Sequence, residues 1–164
     1  MDVVVFLIGL VVIGILVFKG FKFKKKVKGK DKYVPVEEPK IDDMQWQFLR
    51  LLNAYRKEIG ISELIPEVLC GLFAVGRIKE LSKRLPENFN HEGYHAYRLK
   101  LEENGLPYNA EIIARYFNSI PGMFRNYIES PGHLKDIENP RYKYVGLGVI
   151  VHNYKFYSCI IFAS

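Results

Sequence analysis

Beyond residue 41 apolar positions recur at helical spacing. Met44, Phe48, Leu51, Leu52, Tyr55 and Ile59 fall on one face, Asp42 or Asp43 stands where a cap is needed, and Gly60 closes the run. A second helix is expected over residues 66–85, with Pro66 at its first position and Pro86 as its stop; Leu69, Leu72, Phe73, Leu81 and Leu85 form its inner face. After Phe89-Asn90-His91 a third helix runs through Glu103 and ends at Gly105. Ala110-Glu111-Ile112-Ile113-Ala114 follows the break at Pro107, an apolar run opened by one carboxylate. A helix over 121–129 meets Pro131-Gly132, which ends it and lets another start at His133, until Asn139-Pro140 stops the chain again. The pattern then alternates, predicting strands over 144–151 and 155–162 joined at His152-Asn153 as an antiparallel hairpin. Helices come first and strands late, so the expected class is α+β.

One stretch departs from both periods. Residues 3–18 hold only apolar residues and glycine, bounded by Asp2 and Lys19. Sixteen helical residues rise only about 24 Å against a hydrocarbon core of about 30 Å, so Lys19 and Lys22 would snorkel or the bilayer would thin. A cleaved leader needs a basic start and a small-residue cleavage site, which Met1-Asp2 and its sequel lack, so an uncleaved single-span anchor is expected. The domain plan is a transmembrane anchor at 1–20, a Lys-rich juxtamembrane segment and Pro/acidic tether at 21–43, and a globular domain at 44–164.

Charge supports that division. The chain of 164 residues carries a net +6, but the excess lies within residues 1–32, where eight lysines face Asp2 and Asp31; the remainder is balanced. Nucleic acid is therefore not an expected partner of the folded part. The lysine run suits anionic lipid headgroups, and the positive-inside rule places it, with the domain after it, on the cytoplasmic side. Cys70 and Cys159 lie in apolar contexts far apart in sequence and read as two buried thiols.

Two sets of residues could carry chemistry. His91-Glu92-Gly93-Tyr94-His95 matches H-E-x-x-H, in which two imidazoles one helical turn apart hold zinc and the glutamate acts as general base. Pro86, Asn88 and Asn90 before it, and Gly93 inside it, are poor company for a rigid ligand helix. The second set is His91, Glu111 and His133, each at a break between elements. Two imidazoles and a carboxylate meeting in one cleft could share a proton or hold a divalent cation.

Over residues 53–163 the chain resembles the bacterial branch of the CAP superfamily, also called SCP-like: the cysteine-rich secretory, antigen 5 and pathogenesis-related class 1 domains. The matching pieces run in the family's order. Asn53-Ala54-Tyr55-Arg56 with Gly60-Ile61 and Leu64 resembles the opening motif, and Ala74 with Phe89-Asn90-His91 resembles the A…F-S-H that delivers a cavity histidine. Arg98-Leu99 with Gly105 is similar to the R-L…G helix, and residues 110–114 to G-E-N-I-A. Residues 127–133 resemble W-x-x-S-P-G-H, residues 144–149 resemble Y-x-x-I-G-V-G, and the final strand resembles Y-Y-T-Q-V-F. Ala110, Ile112, Tyr127 and Ser158-Cys159 depart from those patterns.

The resemblance implies an α-β-α sandwich with a central antiparallel sheet. It also implies a cleft lined by His91, Glu111 and His133, with Ser130 beside it, and with His91 and His133 as candidate ligands for zinc or another divalent cation. No cofactor is fixed beyond that candidate zinc or other divalent cation, and His95 becomes an ordinary helix residue. The expected function is a membrane-anchored module that binds a lipid, carbohydrate or protein ligand, with catalysis not implied. The alternative is a small membrane-tethered zinc metallopeptidase using His91, Glu92 and His95. CAP domains usually work outside the cytoplasm, which opposes the lysine-run topology and leaves the side of the domain open.

Overall fold

The computed structural model describes residues 42–85 and 87–164. The expected span at residues 1–20 and nearly all of the tether lie outside the described residues. Among those described, no helix is long and apolar enough to cross a membrane.

Asp42 opens helix α1 (Asp43–Glu58) with a capping box: its side chain accepts from the Gln45 backbone N–H, and the Gln45 side chain accepts from that of Asp42. Phe48, Leu49 and Leu52 are buried on its inner face. Asn53 clamps the returning loop by a reciprocal pair of hydrogen bonds with the Leu64 backbone, at 2.9 and 3.0 Å. Arg56 is wholly buried and donates to the carbonyls of Ser62, Ile137, Asn139 and Tyr142. A buried guanidinium is tolerated there because loop carbonyls that no strand or helix uses surround it.

The next element corrects the sequence expectation. Pro66 does not start a helix; with Ile65 it forms a two-residue strand β1 (Ile65–Pro66) that pairs in parallel with the start of strand β3 (Tyr144–His152). Proline fits this edge position because a ladder there needs no donor from it. Helix α2 (Val68–Ser82) follows, capped by the Glu67 side chain on the Cys70 N–H. Its buried face is Cys70, Ala74, Arg77, Ile78 and Leu81, whereas Leu72 is exposed. Leu69, Phe73 and Leu85 pack partly buried at the margin of the same core, so the face is centred on small residues rather than on the large ones, and the reason lies in β3. A Cβ on Gly146 would sit 2.0 Å from the Cys70 carbonyl carbon, and one on Gly148 would sit 2.3 Å from the Ala74 carbonyl oxygen. The helix backbone lies directly on two glycines, and only small residues fit between.

Helix α3 (Tyr94–Glu103) and strand β2 (Asn109–Phe117) come next, then helix α4 (Ile120–Glu129) with Ser119 as its cap and Pro121 in its first turn. Helix α5 (Pro131–Ile137) begins at Pro131, two residues before the expected start at His133, because proline suits a first helical turn. Strand β4 (Lys155–Ala163) closes the chain. Asn153 and Tyr154, with φ of 48° and 58°, make the two-residue turn between β3 and β4, so the hairpin turns one residue later than expected.

The sheet order is β1-β3-β4-β2, antiparallel except for β1. Alternation divides the core in two. Ile112, Leu147, Ile160 and Phe162 face α1 and α4, while Ile113, Cys159 and Ile161 face α2 and α3. This is the expected α+β architecture with helices on both faces of a mainly antiparallel sheet.

Gly148→Ala is expected to lower the unfolding free energy by about 3 kcal/mol, the upper end of ordinary overpacking, because backbone rather than a mobile side chain meets the new methyl. Gly132→Ala, whose added Cβ meets nothing within 4 Å, is expected to change it by less than about 1 kcal/mol. Urea midpoints of the two variants check the contrast.

Candidate functional site

Glu111 is the second residue after Asn109 on β2 and points to the α2 side of the sheet, where its side chain is fully shielded from solvent. Arg77 reaches it from α2, with Nε donating to Oε1 at 2.8 Å. Of the remaining Arg77 donors, those of Nη2 hold the chain around His91. Nη1 donates to Glu80, and Nη2 donates to the carbonyls of Asn90 at 3.2 Å and Glu92 at 2.7 Å. One guanidinium thus fixes both the carboxylate and the loop on either side of the histidine. Burial alone would lower the Arg77 guanidinium, but the hydrogen bond and charge of Glu111, then the charge of Glu80, carry it above its ordinary value.

His91 completes the group, its Nδ1 lying 2.9 Å from Glu111 Oε2. A carboxylate already paired with a guanidinium accepts, so Nδ1–H donates and Nε2 is the free nitrogen of this exposed ring. Beneath the carboxylate, the Cys159 thiol donates to Oε1 at 3.5 Å, and burial followed by the nearby Glu111 pushes that thiol well up. Both Glu111 oxygens are therefore engaged.

His133 sits in the first turn of α5, half-buried, with its ring edge-on to Tyr127 at 5.0 Å between centroids. Its Nδ1 is buried without a hydrogen-bond partner among the described residues. Burial, then the charge of His91, holds its pKa below the usual 6.5. Tyr127 is fixed in turn. Ser158 Oγ donates to Met123 Sδ at 3.2 Å, which leaves the Tyr127 hydroxyl to donate to Ser158 Oγ at 2.8 Å. Two departures from the motif pattern, Tyr127 and Ser158, thus bond to each other.

The expected residues are placed as follows. His91 and Glu111 are in direct contact, and His133 is close enough to respond to His91 without touching either. Ser130 occupies the one-residue junction between α4 and α5; its carbonyl accepts from Leu134 N–H, but its side chain caps nothing. The H-E-x-x-H reading does not survive. His91 lies before α3, Gly93 stands at the helix entry with φ of +90°, and His95 is exposed on the helix beside Arg98. The two imidazoles are not one helical turn apart, and Glu92 contributes its carbonyl to Arg77.

Arg77 was missed by the sequence reading although it carried a signal: it interrupts the stripe of Cys70, Ala74, Ile78 and Leu81, and a charge in an apolar face needs a buried partner. As for metal, Glu111 is spoken for, and among the described residues no three His, Cys, Asp or Glu side chains are grouped to hold an ion. Two imidazoles are fewer than the three protein ligands of a catalytic zinc centre, so a tightly held resident zinc does not fit.

No family model matches the chain, and no curated protein matches it by sequence. Solved structures do match in shape. An extracellular protein containing an SCP domain from Bacillus anthracis superposes with a TM-score of 0.60 at 22% identity, covering 82% of this chain and 45% of that one. A cysteine-rich secretory protein from Staphylococcus aureus gives 0.61 at 19%, covering 84% and 43%. The fold is that of the bacterial-type CAP domain. An outer surface protein of Borrelia burgdorferi shares it, with a TM-score of 0.66 at 13% identity over 74% of this chain and 92% of that chain. The match spans less than half the length of the two SCP proteins.

Two outcomes are expected of this site. Arg77→Met strands the Glu111 carboxylate in the core and should cost about 3–5 kcal/mol, with Arg77→Met/Glu111→Gln recovering part of it, as measured by urea unfolding at pH 7. His133, depressed by burial and by His91, makes the unfolded state bind more protons below its usual pKa of 6.5. Its contribution is complete above that pH and is lost as pH falls toward the folded value. Melting temperatures taken from pH 7.5 down to pH 5 should therefore decline, about one pH unit either side of the histidine range, and His133→Asn should flatten the decline.

Proposed function

We propose that this chain is a membrane-anchored CAP-fold binding module, and that a lipid, carbohydrate or protein ligand is received at the cleft between His91 and His133. The observation that carries the reading is the engagement and burial of Glu111. With Arg77 and Cys159 on one oxygen and His91 on the other, and with its side chain fully shielded from solvent, the carboxylate orients an imidazole and is not exposed to a substrate. The cleft then offers His91 Nε2 and the half-buried His133 ring, whose Nδ1 is itself shut off from solvent, groups that recognise hydrogen-bonding ligands or loosely share a divalent cation. Ser130 frames the His133 side of the opening through its position at the α4–α5 junction.

Anchoring rests on the apolar run at residues 3–18 and the lysines after it. The extracytoplasmic side is favoured for the domain, since the structural neighbours include an outer surface protein and an extracellular protein; the lysine run argues the other way. Protease added to intact cells should digest the domain while sparing a cytoplasmic marker. Protection of the domain until lysis would reverse the topology.

Zinc titration followed through the imidazole signals tests the cleft. His91 and His133 should shift together and weakly, His133→Ala should abolish the shift of His91, and His95→Ala should be silent. Metal binding that instead depends on His95 would overturn this reading of the cleft.

A further inference from the structure

At the hairpin end of the sheet, the surface is built unlike the rest. Three rings gather around Tyr157: Phe89 at 5.9 Å, Tyr116 at 5.5 Å and His152 at 6.1 Å, with Arg115 poised over Phe89 and Tyr116 at 5.9 and 5.3 Å. Tyr116 is 46% exposed, Val151 is 52% exposed and Tyr154, at the turn, is 95% exposed.

Two of these tyrosines stand on backbone that disfavours them. Tyr116 has φ of 69° at a bulge where β2 inserts an extra residue against β4, and Tyr154 has φ of 58° at a turn position suited to glycine. Bulky side chains at positive φ are strained, and neither ring gains a buried place in exchange. The charge here is also one-sided. Residues 112–128 and 139–164 contain no Asp or Glu, while Arg115 and Lys155 flank the rings; Glu87, beside Phe89, is the exception.

We propose that the β3–β4 turn and the β2 bulge form a docking surface for an anionic bilayer. Tyr154 and Val151 enter the headgroup layer, and Arg115 and Lys155 face the lipid charge. Tyrosine suits that depth because its ring is apolar and its hydroxyl stays wet, and basic side chains snorkel to the phosphates. The proposal rests on the membrane anchoring proposed above. That anchoring supplies the choice of occupant, since a tether of about 20 residues keeps the domain within about 70 Å of lipid and raises the effective concentration of a weak contact.

The test uses the full chain carrying Val151→Cys or Glu63→Cys, each labelled with an environment-sensitive fluorophore. Cys70 and Cys159 are both wholly buried, so the introduced thiol takes the label. Glu63 is exposed and lies before β1, at the opposite end of β3 from the turn. The protein is reconstituted with phosphatidylcholine vesicles, with or without phosphatidylglycerol. Expected are flotation with both vesicles, and a blue shift with quenching by nitroxide lipid at position 151 only, confined to phosphatidylglycerol vesicles. Tyr154→Ser should weaken it, and Lys155→Glu should reduce the lipid-inserted population roughly tenfold or more, each basic residue at an anionic surface counting for about a factor of five.

Flotation with position 151 as open to aqueous iodide as position 63 would overturn the docking surface and leave the anchor standing. Binding only to phosphatidylglycerol vesicles, through position 151, would keep the docking surface and remove the anchor; flotation with neither would sink both. Position 151 open on vesicles but shielded by a polymeric glycan would assign the rings to sugar stacking and overturn the lipid proposal.

Discussion

The close approach of α2 to β3 governs the rest of the molecule. Four helical residues rise about 6 Å and two strand residues about 6.7 Å, so the step from Cys70 to Ala74 keeps pace with that from Gly146 to Gly148 and the two elements run side by side. This contact replaces side chains with backbone. It brings the next turn of α2 low over the sheet, and Arg77 on that turn meets Glu111 across β4. Had either glycine carried a side chain, the helix would stand off and the guanidinium would lose its partner. The pair is a consequence of packing as much as of charge.

The same constraint explains what sequence reasoning could and could not reach. Helix ends, the hairpin and the α+β class were legible because Asp42, Gly105, Pro131 and the alternation of β3 and β4 act locally. Pro66 was misplaced because a first-turn proline and an edge-strand proline look alike in sequence, and only the parallel pairing with Tyr144 and Val145 separates them. The inner face of α2 was legible in Leu81 and, at its margin, in Leu69 and Phe73, whereas Leu72 is exposed and Cys70 and Ala74 at its centre were not legible, because their smallness is meaningful only once the two glycines lie beneath them. His91, Glu111 and His133 were found through motif order. Their support, in Arg77, Tyr127 and Ser158, depends on contacts spanning 31 to 34 residues for its key bonds and leaves no local pattern. The false zinc motif failed for a geometric reason, since Gly93 at positive φ separates His91 from the helix that carries His95.

The two histidines owe their differing character to depth. His91 is held by a carboxylate and faces solvent, whereas His133 lies against a ring whose hydroxyl is committed to Ser158. Burial first, and then the charge of His91, disfavours charge on His133. Arg56 grips the carbonyls at and beyond the end of α5. The two buried arginines, Arg56 and Arg77, thus bond mostly to main-chain oxygen.

That dependence on main-chain oxygen separates the grammar of the loop from its vocabulary. Arg77 holds the carbonyls of Asn90 and Glu92, groups that every amino acid supplies, while the residue between them is presented outward. A lineage can exchange His91 for another side chain and keep the loop's path, so new specificities can be tried on this scaffold without first surviving a crisis of folding.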